Sequence, residues 1–273
     1  MYIQADTDVY CVIGNPVRHS LSPILHTFMF EYYGINAVYV AFEVQHIKEA
    51  IEGIKALGIK GANITVPFKN KAFELIDETD EDSSFLQSIN TIKNINGKLY
   101  GYNTDFLGFK DMFMEYTKFY SEEDVVVVLG AGGVSVSVIY ALYKLGIKRI
   151  FLLNRDITKA KNIQKKFNDK IEIEVGNLND KEIINKADVI INCTSVGLKG
   201  NETPINTNWI NESIVVDVIY FDTPLLKAAK QKGLTTINGM DMFIGQAYYA
   251  FKIWTGIDFS KEAAQNLLGD MEL

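Results

Sequence analysis

The sequence predicts an α/β protein of two domains, each built on a largely parallel sheet. Three observations carry that expectation. The chain has 273 residues, which at roughly 150 residues per domain suggests about two domains. Short β-branched runs alternate along it with stretches of helical apolar spacing, the pattern of βαβ units. The alternation restarts after a polar break at residues 121–124, where Val125 to Val128 form a four-valine run suited to a strand buried on both faces.

In the first half, residues 9–13, 37–42 and 61–66 read as strands, and 24–33 and 46–57 carry helical spacing between them. Residues 90–95 and 98–102 flank Asn96-Gly97, a two-residue hairpin signal. A helix is expected over 104–116, and the domain boundary falls near 104–124. In the second half, strands are expected at 124–129, 149–153, 171–175, 189–193, 214–218 and 235–237, with a helix over 134–145 and helical spacing from 242 to 268.

Composition bounds the function. With 48% hydrophobic and 22% charged residues the chain is globular, neither fibrous nor disordered. Lys and Arg number 27 against 34 Asp and Glu, a net charge of −7, which argues against broad attraction to nucleic acid or anionic membranes. The start of the chain lacks the pattern of a signal peptide, and no apolar segment reaches the roughly 18 residues of a membrane span. A cytoplasmic protein is expected. Cys11 and Cys193 lie in apolar runs and read as small buried hydrophobes. The three histidines, His19, His26 and His46, show no metal-ligand spacing, so no metal site is expected. His19 adjoins Ser20, but adjacent side chains point apart, and no G-x-S-x-G elbow supports a serine hydrolase.

The strongest chemical signal in the second half is Gly130-Ala131-Gly132-Gly133, between a strand and a helix. Such a turn lets the backbone approach a pyrophosphate whose charge meets the helix N-terminus. A third glycine would fall at 135; Ser135 stands there and is small enough for close helix–strand packing. After the next strand comes Asn154-Arg155-Asp156-Ile157-Thr158-Lys159. Arg155 and Lys159 suit a 2′-phosphate, which favours NADP, while Asp156 could accept from a bare ribose.

In the first half, Ser20 and Ser22 precede a helix, with Ser22 as expected N-cap and Pro23 at the first helical position. Two hydroxyls at a helix start suit a small carboxylate. Pro67 marks another expected helix start after the strand carrying Thr65, with Lys69 in the first turn. There the helix dipole disfavours an ammonium and tends to lower its pKa, as an acid/base lysine requires. Asp105, at the start of the next helix, either serves as an ordinary N-terminal residue or pairs with Lys69. Asn90 adds an uncharged donor and acceptor for a hydroxyl.

Taken together, GNPVRHSLSP, NITVPFK, SINT, GYNTDFLG, GAGG, NR, INCTSVG, VVDVIY and GMDMFIGQA resemble the shikimate dehydrogenase family over essentially the whole chain. The resemblance implies NADP-linked interconversion of 3-dehydroshikimate and shikimate on the chorismate route to aromatic amino acids. It implies an N-terminal α/β substrate domain, residues 1–105 with the C-terminal helices of 240–273 packed back on it, and a Rossmann-type NADP-binding domain at 106–239. Lys69 and Asp105 match the catalytic pair. Ser20, Ser22, Thr65, Asn90, Gln246 and Tyr220 match positions around the substrate. Gly130, Ala131, Gly132, Gly133 and Val134 match the phosphate loop. Asn154, Arg155 and Lys159 match the 2′-phosphate clamp, and Thr194, Val218, Gly239 and Met242 match positions lining the nicotinamide side. Expected partners are small molecules, with the chain a monomer or homodimer. Two alternatives remain open at this point: a quinate/shikimate dehydrogenase using NAD, and a non-catalytic nucleotide-binding sensor.

Overall fold

The structure, a computed structural model, describes residues 2–116 and 124–269. Residues 121–123 of the expected polar break at 121–124 lie outside the described residues. The chain divides into two units, one formed by Met1–Gly108 with Ile244–Leu273, the other by Phe109–Phe243.

The first unit runs β1 (Asp8–Gly14), α1 (Ser22–Tyr32), β2 (Ala37–Glu43), α2 (Ile47–Ala56), β3 (Gly61–Ile64), α3 (Lys69–Phe73), β4 (Glu78–Thr79), α4 (Glu81–Leu86), β5 (Thr91–Ile95), β6 (Lys98–Tyr102) and the start of α5 (Asp105–Tyr116). Its sheet is ordered β2-β1-β3-β5-β6-β4. Parallel pairing holds for β1 with β2 and β3, but β5 runs antiparallel to both β3 and β6. This sheet is therefore mixed, where a largely parallel one was expected. The β5–β6 part follows from the Asn96-Gly97 turn: both residues have positive φ, 52° and 88°, the left-handed pair that a two-residue hairpin needs.

The second unit contains β7 (Val126–Leu129), α6 (Gly133–Lys144), β8 (Arg149–Leu153), α7 (Ile157–Lys166), β9 (Glu172–Gly176), α8 (Lys181–Asn185), β10 (Val189–Asn192), β11 (Ile214–Asp217), α9 (Pro224–Gln231) and β12 (Thr236–Ile237). Its six strands are all parallel, ordered β12-β11-β10-β7-β8-β9. That is a doubly wound sheet whose order reverses between β7 and β10, where ligands of such sheets bind beyond the strand ends. Every residue of β7 and β10 is buried, as expected of strands covered by helices on both faces.

The chain then enters α10 (Met240–Thr255) and ends in α11 (Lys261–Gly269). The expected helical stretch is thus two helices; Gly256, at φ +76°, ends the first in the left-handed conformation common after a helix C-terminus. In the first unit, α10 supplies Ala250, Phe251 and Trp254 to an aromatic core with Tyr10, Phe30 and Tyr39. Trp254 donates its indole N–H to the carbonyl of Ile92 at 2.9 Å. Cys11 and Cys193 are buried and free, and burial raises both thiol pKa values, Cys11 to about 12.

Candidate active site

In the first unit, α3, the residue before β5, α5 and α10 bring four expected residues together. Lys69 is the first residue of α3, and this short helix is tied to the loop before β5. The carbonyl of Lys69 accepts from Ile89 N–H at 3.2 Å, and Asn70 donates to the carbonyl of Gln87 at 3.0 Å. The Lys69 ammonium lies 2.5 Å from the Asp105 carboxylate. Asp105 both opens α5 and pairs with Lys69, so the two alternatives for it hold at once. Asn90 donates to the other Asp105 oxygen at 2.8 Å and to Thr104 Oγ1 at 3.0 Å. Gln246, from α10, approaches the same Asn90 amide with its Oε1 at 3.5 Å.

The orientation of Asn90 is fixed rather than free. Thr104 N–H donates into Asn90 Oδ1 at 2.7 Å, which leaves Nδ2 facing Asp105 and Gln246. Behind it, Asn63 of β3 donates to the Asn90 carbonyl and to Thr91 Oγ1, both at 3.0 Å. Tyr39 donates to Asn63 Oδ1 at 2.6 Å. Burial, aided by Cys11, holds the Tyr39 phenol well above its ordinary pKa, against the opposing bonds to Ser22 and Asn63. A continuous chain of hydrogen bonds therefore runs from Tyr39 through Asn63, Thr91, Asn90 and Asp105 to Lys69. Tyr39, Asn63, Thr91 and Thr104 were not read from the sequence. Asn63 left one signal: it is a polar residue inside a four-residue strand that is buried throughout.

Three local expectations need correction. Ser22 does not cap α1; it is the first helical residue, Leu21 is the N-cap, and no side chain makes a capping bond. Ser20 Oγ accepts the Ser22 N–H at 3.3 Å. Pro67 does not open a helix. It sits in a turn closed by Phe68 N–H to the Thr65 carbonyl at 2.9 Å, and α3 begins two residues later. The strand before it ends at Ile64 rather than 66, since Thr65 already belongs to that turn; Thr65 N–H still bonds the Ile13 carbonyl at 2.9 Å.

In the second unit, β7 runs into Gly130, Ala131, Gly132 and Gly133, and α6 starts at Gly133, with Val134 in its first turn. Gly130 has φ +97°, and a Cβ there would stand 2.8 Å from Thr194 Cγ2, so no other residue fits. At Gly132 and Gly133 a Cβ would meet nothing within 4 Å, leaving an open, side-chain-free surface at the N-terminus of α6. Backbone N–H groups at such a surface suit a pyrophosphate. Asn154 Oδ1 accepts from Ala131 N–H at 3.2 Å, joining the loop to the end of β8. Ser135 is fully buried and accepts from Gly132 N–H at 3.1 Å.

Arg155 and Lys159 are exposed at the start of α7. Asp156 is the N-cap of α7, its Oδ1 accepting from Thr158 and Lys159 N–H at 3.0 and 3.4 Å. Thr194 follows β10, at the reversal of strand order, and Val218 follows the neighbouring strand β11. Gly239 N–H bonds the Ile219 carbonyl at 2.8 Å. Met242 is buried. Tyr220 packs on Phe221 and Phe243, and burial raises its pKa. Among the described residues no group of three or more His, Cys, Asp or Glu could hold a metal ion, and no helix is long and apolar enough to cross a membrane.

Comparisons with known proteins agree with these motifs. Residues 12–92 match the family model of the shikimate dehydrogenase substrate binding domain, residues 115–216 that of shikimate / quinate 5-dehydrogenase, and residues 239–268 that of the shikimate 5′-dehydrogenase C-terminal domain. A shikimate dehydrogenase (NADP(+)) of Aquifex aeolicus is 44% identical over 98% of this chain and 99% of its own. The crystal structure of shikimate dehydrogenase from Aquifex aeolicus matches with a TM-score of 0.93 at 44% identity, covering 98% of this chain and 100% of that one. A Thermus thermophilus shikimate 5-dehydrogenase in complex with NADP(H) and shikimate matches at 0.85 and 27% identity, covering 95% and 98%. By its sequence, its fold and these matches, the chain belongs to the shikimate dehydrogenase family.

Proposed function

We propose that this chain is an NADP-dependent oxidoreductase acting on a CH–OH group, reversibly reducing 3-dehydroshikimate to shikimate on the chorismate route to aromatic amino acids. It works in the cytoplasm on small molecules, as a monomer or homodimer. Residues 1–105, with the helices of 240–273, take the substrate, and residues 106–239 take the cofactor. The observation that carries this function is the convergence of Lys69, Asp105, Asn90 and Gln246, from four separate stretches of chain, with one ammonium held 2.5 Å from one carboxylate.

The residues divide the work. When bound, NADPH supplies the two reducing electrons as hydride, chemistry that no side chain here provides. Lys69 donates a proton to the substrate oxygen as it becomes an alcohol, and takes it back in the reverse direction. Asp105 fixes the ammonium and balances its charge. Asn90 and Gln246 bind hydroxyls, with Asn90 held in one orientation by Thr104, and Thr65 adds a further hydroxyl. Ser20 and Ser22 hold the carboxylate remote from the reacting carbon, so that binding there aligns the ring. Tyr220 contributes from the cofactor domain. The open glycine surface fits a pyrophosphate, Arg155 and Lys159 fit a 2′-phosphate, and Thr194, Val218, Gly239 and Met242 line the nicotinamide side.

Steady-state rates with shikimate and quinate, each with NADP and NAD, test the assignment. Shikimate with NADP is expected to be the preferred pair; preference for quinate with NAD would overturn it. Lys69→Ala is expected to lower turnover by about 10²- to 10⁴-fold with the fold intact, and near-normal turnover would remove Lys69 from the mechanism.

A further inference from the structure

Two buried polar residues of the second unit have no part in the chemistry just described. Asn192 ends β10 and Asp217 ends β11, paired in register across the sheet. Both are fully buried. The Asp217 carboxylate accepts three hydrogen bonds: from Asn192 Nδ2 at 2.8 Å, from Thr223 Oγ1 at 2.8 Å and from Ile219 N–H at 3.0 Å. Asn192 Oδ1 in turn accepts from Thr194 N–H at 3.0 Å and Thr194 Oγ1 at 2.7 Å. The Asn192 carbonyl accepts from Val218 N–H at 3.1 Å, and the Ile219 carbonyl from Gly239 N–H at 2.8 Å.

A buried carboxylate is an expensive way to end a strand. The neighbouring positions of β10 and β11 are valine and isoleucine. Burial also raises the Asp217 pKa, against its three hydrogen bonds. What the carboxylate achieves is geometric. Through the Asn192 amide it fixes Thr194 and, by way of Ile219, Gly239, two residues drawn from separate loops, while Val218 between them is held by the Asn192 backbone carbonyl. Thr194 also fills the space against Gly130 of the phosphate loop.

We propose that Asp217, acting through Asn192, is the positioning residue that holds the loops after β10 and β11 in the arrangement that binds the nicotinamide half of NADP. The role rests on the NADP-linked function proposed above. Asp217→Asn places an amide N–H where a donor already points, so the pair loses its register. The reversed pair, Asp217→Asn with Asn192→Asp, restores a carboxylate facing an amide, with the acceptor for Thr194 retained.

The experiment measures NADPH affinity by fluorescence titration, KM for NADPH and for 3-dehydroshikimate, and thermal stability, for wild type, Asp217→Asn and the reversed pair. Loss of a hydrogen bond to a buried charge corresponds to about 10- to 100-fold in affinity. The single variant is therefore expected to raise both the NADPH dissociation constant and KM by at least about tenfold, while KM for 3-dehydroshikimate stays within about twofold. The reversed pair is expected to recover most of that loss. A single variant that is less heat-stable but binds NADPH normally would overturn the proposal, as would a folded reversed pair with no recovery. If the single variant does not fold, the reversed pair decides, and failure of both to fold overturns positioning in favour of a purely structural role. Absence of NADP-linked turnover in wild type would instead refute the function itself.

Discussion

Asp156 stands beside two cations proposed to clamp a phosphate, and its carboxylate is already engaged. Its Oδ1 receives the first free N–H groups of α7 at 3.0 and 3.4 Å, which makes it a helix cap. Serine caps about as well, so Asp156→Ser tests the charge with the cap retained. The expected outcome is a severalfold lower KM for NADPH, from removal of a negative charge beside Arg155 and Lys159, with KM for NADH within about twofold. A tenfold rise in KM for NADH would show instead that the carboxylate holds the ribose. The identity of Lys69, Asp105 and Asn90 as a group was legible, because each lies in a short polar motif at a strand end or helix start. Gln246 was legible only by resemblance, since 156 residues separate it from Asn90 and no local pattern encodes that meeting. Asp217 and Asn63 went unread because one polar residue inside an apolar strand looks like a defect in the pattern until its partners are known.

Helix α1 carries a comparable oddity. His26 is fully buried, and neither ring nitrogen has a hydrogen-bond partner among the described residues. Its ring stacks on Tyr39 with centroids 4.6 Å apart and lies 5.1 Å from Trp254. Burial pushes its pKa from 6.5 down to about 3. The unfolded chain therefore binds a proton that the native state refuses, and the stability this residue permits is intact above pH 6.5 and lost as pH falls toward 3. The slope is about 1.4 kcal/mol per pH unit in that window. His26→Leu removes both the titration and the unpaired nitrogens, so its urea midpoint should exceed that of wild type by more at pH 5 than at pH 7. An identical pH dependence in the two proteins would show that His26 does not titrate on unfolding. Elements of this length were readable from apolar spacing. The six residues of α4 and the two of β4 were not, because less than two turns, or a single pair of residues, leaves no period to detect; the five residues of α3 were expected only from Pro67, which set their start two residues early.

The first unit is discontinuous in sequence: it needs residues 244–273 as well as 1–108. The helical nature of the C-terminal stretch was legible from its spacing, but its return to the first sheet was legible only by resemblance, since an amphipathic pattern shows which face is apolar and not what covers it. The covering is specific here. Phe251, Trp254 and Phe259 are buried, Phe251 packs on Phe30, and Trp254 packs on Tyr10 while bonding the backbone of β5. Loss of a buried Phe or Trp side chain typically costs about 3–5 kcal/mol, so three together approach the whole stability of an ordinary domain, about 5–15 kcal/mol. The second unit, by contrast, has its own core within Phe109–Phe243, formed by Val127, Leu129, Ile190, Val215 and Leu226 among others. A chain ending at Phe243 is therefore expected to lose amide hydrogen-exchange protection in β1, β2 and β3 while β7, β10 and β11 stay protected. Retained protection in β1 to β3 would mean that the strands and helices of residues 1–108 close their own core, and that the returning helices serve only to deliver Gln246.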